Sequence, residues 1–207
     1  MNASQVTKWF IKKNPELSSG YIDGNTKINK LLYFANLFSY AVLNEKMISD
    51  EFVAFPNGPV VYSVYRDYRY NGLNRIPSED VEVDDKFLKI LEIVNFVYGN
   101  KEKEELVEIS HEHNLWKDVK EWIPSNPPIV FENAHEDLIE KCKNIYKAYE
   151  IVDFSNLKKE VIGGNVYYYD KENISSIPDD ILNELMDKPL NKEAMFIEEI
   201  EGEFVLS

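Results

Sequence analysis

Cysteine, histidine and arginine are scarce in this chain of 207 residues, and each scarcity excludes something. The single cysteine, Cys142, has no partner for an internal disulfide, which is the expectation for a protein of the reducing cytoplasm. One cysteine and three histidines fall short of the ligand sets that structural zinc sites use, so no metal is expected. No apolar run approaches the ~20 residues that a membrane-spanning helix needs. The opening MNASQVTKWFIKKN lacks the apolar stretch and small-residue cleavage site of a secretory leader. The expected location is therefore the cytoplasm, without membrane contact. Glycine signatures of nucleotide binding are missing too. Gly163-Gly164 is part of no G-x-G-x-x-G pattern and no phosphate-loop lysine follows it, and there is no G-x-S-x-G elbow. Carboxylates are so plentiful that no pair stands out for acid–base work. A chain with no catalytic residues and no cofactor is expected, acting as a binding protein rather than an enzyme. An unrecognised hydrolase or nucleotide-processing activity is the competing reading, resting on His111, His113 and the carboxylates.

Basic charge is in deficit and unevenly placed. The formal net charge is −14. Residues 1–75 carry 9 basic and 6 acidic side chains, net +3, whereas residues 76–207 carry 14 and 31, net −17. Such a field repels nucleic-acid phosphates, so no direct nucleic-acid binding is expected. All three arginines, Arg66, Arg69 and Arg75, fall within ten residues that also hold Tyr68 and Tyr70, with Tyr62 and Tyr65 just before. Tyrosine and arginine are the types most enriched at interface hot spots. Tyr62, Arg66 and Arg69 are spaced i, i+4 and i+7, which places them on one exposed helical face. They are the candidate partner-binding residues, against the competing reading of a plain solvated face.

Hydrophobic periodicity predicts helices over 3–13, 25–44, 83–98, 101–112 and 132–150, with a short one over 114–122. The 25–44 helix carries apolar residues nearly all round, the mark of a central buried helix. Asn25 or Thr26 is its expected cap. The segment 51–55 reads as a strand or extended piece. PNGPV then reads as a helix start, with Asn57 or Gly58 as N-cap and Pro59 at the first helical position. That helix is expected to end at Asn71-Gly72, ahead of a polar loop over 73–82. Residues 15–24 and the triple-proline stretch 123–128 read as loops. Past residue 151 the pattern changes. VIGGNVYYY predicts strand–turn–strand, 177–186 a short helix, and 194–207 alternating strands around Glu201-Gly202. The predicted architecture is mainly α, a compact multi-helix domain over 1–150 with a small α+β extension over 151–207.

His111-Glu112-His113 does not suit a metal, because residues two apart on a helix do not share a face. Three segments instead carry a resemblance. Lys27-Ile28-Asn29-Lys30-Leu31-Leu32-Tyr33-Phe34-Ala35 is similar to a K-L-Q-K-L-L-Y-F-A helix. Phe55-Pro56-Asn57-Gly58-Pro59-Val60-Val61 is similar to a W-x-x-G-P-V-V turn. Leu106 to Glu112, with Trp116, is similar to an L-S-x-L-T-H-E segment followed by P-W. In that order and spacing they resemble the Panacea, or SocA-like, antitoxin domain, often found as a phage-associated protein, over about residues 5–150. Phe55 replaces the family's tryptophan and Leu115 the proline before the second tryptophan. The resemblance implies an antitoxin of a toxin–antitoxin pair that binds a cognate toxin encoded next to it. One relative is an adaptor that delivers its toxin to an AAA+ protease, so a protease is a second implied partner; the acidic tail with its final FVLS, which the resemblance does not cover, is the candidate contact. The resemblance implies no catalytic role. Lys30, Leu31, Leu32, Tyr33, Phe34, Gly58, Pro59, Val60, His111 and Trp116 are read as fold-defining, with Trp116 filling core volume and spending its N–H on one hydrogen bond.

Overall fold

The computed structural model describes residues 1–18, 23–70, 81–191, 194–200 and 202–206. Arg75, the Asn71-Gly72 helix stop, most of the 73–82 loop and Glu201 lie outside the described residues. The chain forms two compact units, Met1–Glu150 and Ile151–Ser207.

The first unit is built around α2 (Asp23–Leu43), of whose 21 residues 15 are buried. Ile28, Leu31, Leu32, Tyr33, Phe34, Leu37 and Phe38 are all fully enclosed. Each such side chain stabilises the fold by ~1.5–3 kcal/mol relative to exposure, so α2 is a large contributor to the unit's apolar burial. Around it pack α1 (Ala3–Lys13), α3 (Tyr62–Tyr70), α4 (Asp85–Tyr98), α5 (Lys103–Glu112) and α7 (Glu136–Tyr149). The short α6 (Asn114–Lys117) follows α5 directly. Phe34 stacks on Tyr98 of α4 with ring centroids 4.3 Å apart, and Tyr33 reaches Phe131 at 5.8 Å. Local chemistry starts the flanking helices. Asn2 and Gln5 form a reciprocal capping box on α1, each side chain meeting the other's backbone N–H at 2.9 Å. Asp84 caps α4 by accepting the Lys86 N–H at 3.1 Å.

Several boundaries differ from expectation, and tertiary partners explain them. The α2 helix begins at Asp23, so Asn25 lies inside its first turn and is not the cap. Its amide instead donates to the Tyr65 carbonyl at 3.0 Å, tying α2 to α3. The PNGPV segment does not open a helix. Gly58–Val61 is a strand, β2, paired antiparallel with β1 (Phe52–Phe55), and the helix starts afterwards at Tyr62. The proline-rich stretch is not irregular throughout. Lys120–Ser125 is a 3₁₀ turn containing Pro124. The Pro127 carbonyl then accepts the Ala54 N–H at 2.8 Å, so the stretch docks along the edge of β1. A second 3₁₀ turn, Phe131–Asn133, delays α7 to Glu136.

The second unit holds a four-stranded sheet in the order β3 (Leu157–Ile162), β4 (Asn165–Asp170), β5 (Met195–Ile200), β6 (Glu203–Leu206). The β3–β4 and β5–β6 pairs are antiparallel. The β4–β5 pair is parallel, and α8 (Asp179–Met186) lies in the connection between them. Tyr167, Tyr169, Ile174, Ile177, Leu185 and Ile197 belong to the core of this unit, and Phe204 and Leu206 pack against it. The FVL segment expected as a protease contact is thus part of an edge strand of the sheet. Among the described residues no helix is long and apolar enough to cross a membrane.

Candidate functional site

Lys30 organises one site. It sits at 1% exposure on α2, and its Nζ donates to the Pro59 carbonyl at 3.0 Å. Asn29 beside it accepts the Val61 N–H at 2.9 Å through Oδ1, while its amide donates back to Asn25. Two adjacent polar side chains of the central helix thus hold the β1–β2 hairpin in place. Gly58 makes the close approach possible. Its φ is +94°, and a Cβ there would lie 2.6 Å from Ser110 Oγ and 2.9 Å from both Lys30 Cε and Nζ. Burial lowers the Lys30 amine to about 7.

Lys30 also helps to line a cavity of about 520 Å³. One wall is the α2 face carrying Asn25, Thr26, Asn29 and Lys30, in which Asn29 and Lys30 stand one turn after Asn25 and Thr26. The hairpin turn supplies Phe55, Pro56 and Asn57, and α3 supplies Tyr65 and Arg69. Phe55 and Tyr65 meet edge to face at 5.1 Å. The Arg69 guanidinium hydrogen-bonds the Tyr65 hydroxyl and lies 5.9 Å and 5.7 Å from the ring centres of Tyr65 and Tyr70.

Behind the hairpin, His111 and Trp116 stack with centroids 3.8 Å apart and planes at 16°. Trp116 Nε1 donates to the Phe55 carbonyl at 3.0 Å. The ring of His111 is pushed below its ordinary value by burial and by the nearby Lys30 charge, with the Pro56 backbone opposing. Lys30, Asn29 and Trp116 therefore fasten the same hairpin at Pro59, Val61 and Phe55. Trp116→Phe keeps the stack and deletes one bond, and is expected to lower stability by about 1 kcal/mol, read as a shift in the urea midpoint. An unchanged midpoint would mean that the indole N–H contributes nothing there.

The other predicted residues divide clearly. Leu31, Leu32, Tyr33 and Phe34 are interior, as is Val60. Tyr62 is 52% exposed, and Arg66 and Arg69 are exposed on the same helix. Of these three only Arg69 reaches the cavity. His113 turns away from His111. It is buried, shares a 3.0 Å hydrogen bond with the Tyr33 hydroxyl and is pushed down to about 4, chiefly by burial. A second hollow of about 580 Å³ adjoins it, lined by His135, Asp118 and Lys141 among others. One of its polar lining residues, Asn114, is committed to structure: it donates to Asn133 and Asp118 and accepts the His135 N–H. Among the described residues no cluster of three or more histidine, cysteine or carboxylate groups could hold a metal ion.

Sequence reading missed Asn25, Asn29, Phe55, Asn57 and Tyr65 as members of one cavity. The signal was there in Asn25, Asn29 and Lys30 recurring on an apolar helix, since buried polar groups must be explained. No curated protein and no solved structure matches this chain. The segment Ile28–Lys117, which contains Lys30, the Gly58-Pro59 turn, His111 and Trp116, does match one family model, and that family is the antitoxin SocA-like Panacea domain.

Proposed function

We propose that this protein is the antitoxin of a toxin–antitoxin pair and neutralises its toxin by binding it directly, without catalysis. The match of residues 28–117 to the Panacea domain carries this reading. The exposed face of α3 supports it as the contact surface. Tyr62, Arg66 and Arg69 face solvent there, and Tyr62, Tyr65 and Phe55 form a run of rings with centroids 5.1–6.4 Å apart. Rigid aromatic surface beside arginine is the usual make-up of a hot spot. The toxin is expected to be the product of the adjacent gene.

The test is co-expression with that neighbouring reading frame, followed by affinity purification of this chain. Growth rescue with a stoichiometric co-purifying partner is expected. The double variant Tyr62→Ala, Arg66→Glu changes exposed positions only, so its stability should stay within about 0.5 kcal/mol of the parent. Its toxin affinity should fall ~100-fold, the loss of one to two hot spots. A neighbour that is harmless alone would remove the basis of the antitoxin reading. Undiminished affinity in the double variant would move the contact off α3.

A further inference from the structure

We propose that the cavity between α2, the β1–β2 turn and α3 binds a small organic anion, its acidic head on the Lys30 amine and its planar body against Phe55 and Tyr65. This does not rest on the antitoxin reading. Its first ground is the state of Lys30. An ammonium carries three donors, and among the described residues Lys30 Nζ meets one acceptor, the Pro59 carbonyl, and no carboxylate. Structural lysines this deeply enclosed are ordinarily paired with an acidic group. Here Lys30 is instead one of the residues lining a cavity.

The second ground is the charge of the lining. Lys30 and Arg69 contribute two cationic groups, and among the described residues none of the lining is acidic. The chain as a whole is at −14, so this small basic hollow runs against the bulk field. Arg69 is pre-positioned at the rim by the Tyr65 hydroxyl and by the two tyrosine rings. The third ground is size and surface. A volume of about 520 Å³ with mostly apolar walls and a few convergent polar groups is the form of a small-molecule site. A carboxylate from a partner's side chain would fill only a fraction of it, whereas a planar ring system is large enough to occupy it alongside Phe55 and Tyr65, which meet each other edge to face. The shared chemistry is an aromatic or heteroaromatic body with a carboxylate or phosphate head.

Calorimetric titration of the full chain decides this with three probes. 2-Naphthoate tests the planar carboxylate, AMP the planar phosphate, and inorganic phosphate the head without a body. At least one planar probe is expected to bind at a single saturable site, about tenfold or more tighter than phosphate. Which of the two prevails identifies the head group. Lys30→Met should weaken the better probe at least ~10-fold, and Arg69→Leu should weaken it about threefold. Naphthoate stays ionised from mildly acidic to alkaline pH, so its affinity should fall as rising pH removes the Lys30 proton. Among the described residues, the charged or titratable groups that act on Lys30 or share its cavity are His111 from α5 and Arg69 and Tyr65 from α3, and the turn contributes none. His111 is already held below its ordinary value and Arg69 keeps its charge, so neither produces that fall. No saturable binding of either planar probe at roughly millimolar concentration overturns the proposal. So does binding that neither variant nor pH alters. Should Lys30→Met fail to fold, Arg69→Leu and the pH profile of the parent chain decide the question in its place.

Discussion

Gly58→Ala is expected to destabilise the unit Met1–Glu150 by about 3 kcal/mol, with a fall in Tm of roughly 6–12 °C for a unit of this size. Two costs add. The φ of +94° leaves a left-handed backbone that an L side chain occupies at a cost of about 1–2 kcal/mol. The new methyl also enters a space already occupied, at 2.6 Å from Ser110 Oγ and 2.9 Å from Lys30 Cε and Nζ. Neither neighbour is free to leave, since Ser110 bonds the Val107 carbonyl and Lys30 bonds Pro59. Overpacking of this kind costs a further ~1–3 kcal/mol. Gly202→Ala is the control. It shares the positive φ, at +85°, but nothing lies within 4 Å of the added methyl, so only the strain remains. Trp9, Trp116 and Trp122 all lie in the first unit, so tryptophan fluorescence follows the unfolding of that unit in Gly58→Ala, and far-ultraviolet circular dichroism follows Gly202→Ala. A Gly58→Ala midpoint no lower than that set by strain alone would show that the hairpin moves aside, and that its contact with Lys30 is loose.

Lys30→Met should make the protein more stable at neutral pH, against the usual result of altering a fully buried residue. The amine is held at about 7 in the folded chain and returns to its ordinary 10.5 on unfolding. Between those values the unfolded chain binds a proton that the folded chain does not, so wild-type stability rises with pH across this window. Below about 7 the whole cost of burial is present; above about 10.5 it is gone. Each unit of separation corresponds to about 1.4 kcal/mol. Against this, methionine forfeits the hydrogen bond to Pro59, a loss of about 1 kcal/mol. The net gain expected at pH 6–7 is roughly 3 kcal/mol, shrinking and then reversing towards pH 10. Urea denaturation of both proteins at half-unit pH intervals gives the difference curve, in which the other titrating groups cancel. A difference that stays flat across the window would place the amine in contact with water. A stabilising loss of charge at a cavity wall is also the signature of a residue retained for binding rather than for stability.

Much of the framework is legible in the residues. The 3.6-residue apolar rhythm marks α1, α2, α4, α5 and α7, and the all-round hydrophobicity of α2 marks it as the centre. The alternation around Gly163-Gly164 marks the β3–β4 hairpin. The ends of elements are less legible because they depend on distant partners. Asn25 has the chemistry of a cap, yet its amide is taken by Tyr65, 40 positions along the chain. Asn57-Gly58-Pro59 suits a helix start and a hairpin turn equally. What selects the turn is Lys30 meeting the Pro59 carbonyl and Asn29 meeting the Val61 N–H, 29 and 32 positions away.

The candidate site divides in the same way. By itself the sequence determined the helical character of the first unit, the β3–β4 hairpin and the exposure of Tyr62, Arg66 and Arg69 on one helix, because each follows from composition or from contacts a few residues apart. Only the tertiary structure decided that Lys30 would be buried beside a hollow and that Arg69 would stand at its rim. Those outcomes depend on which segments meet across α2. A one-dimensional pattern shows that a lysine lies among apolar residues; whether it finds a carboxylate, a carbonyl or a cavity is settled by the element that packs over it.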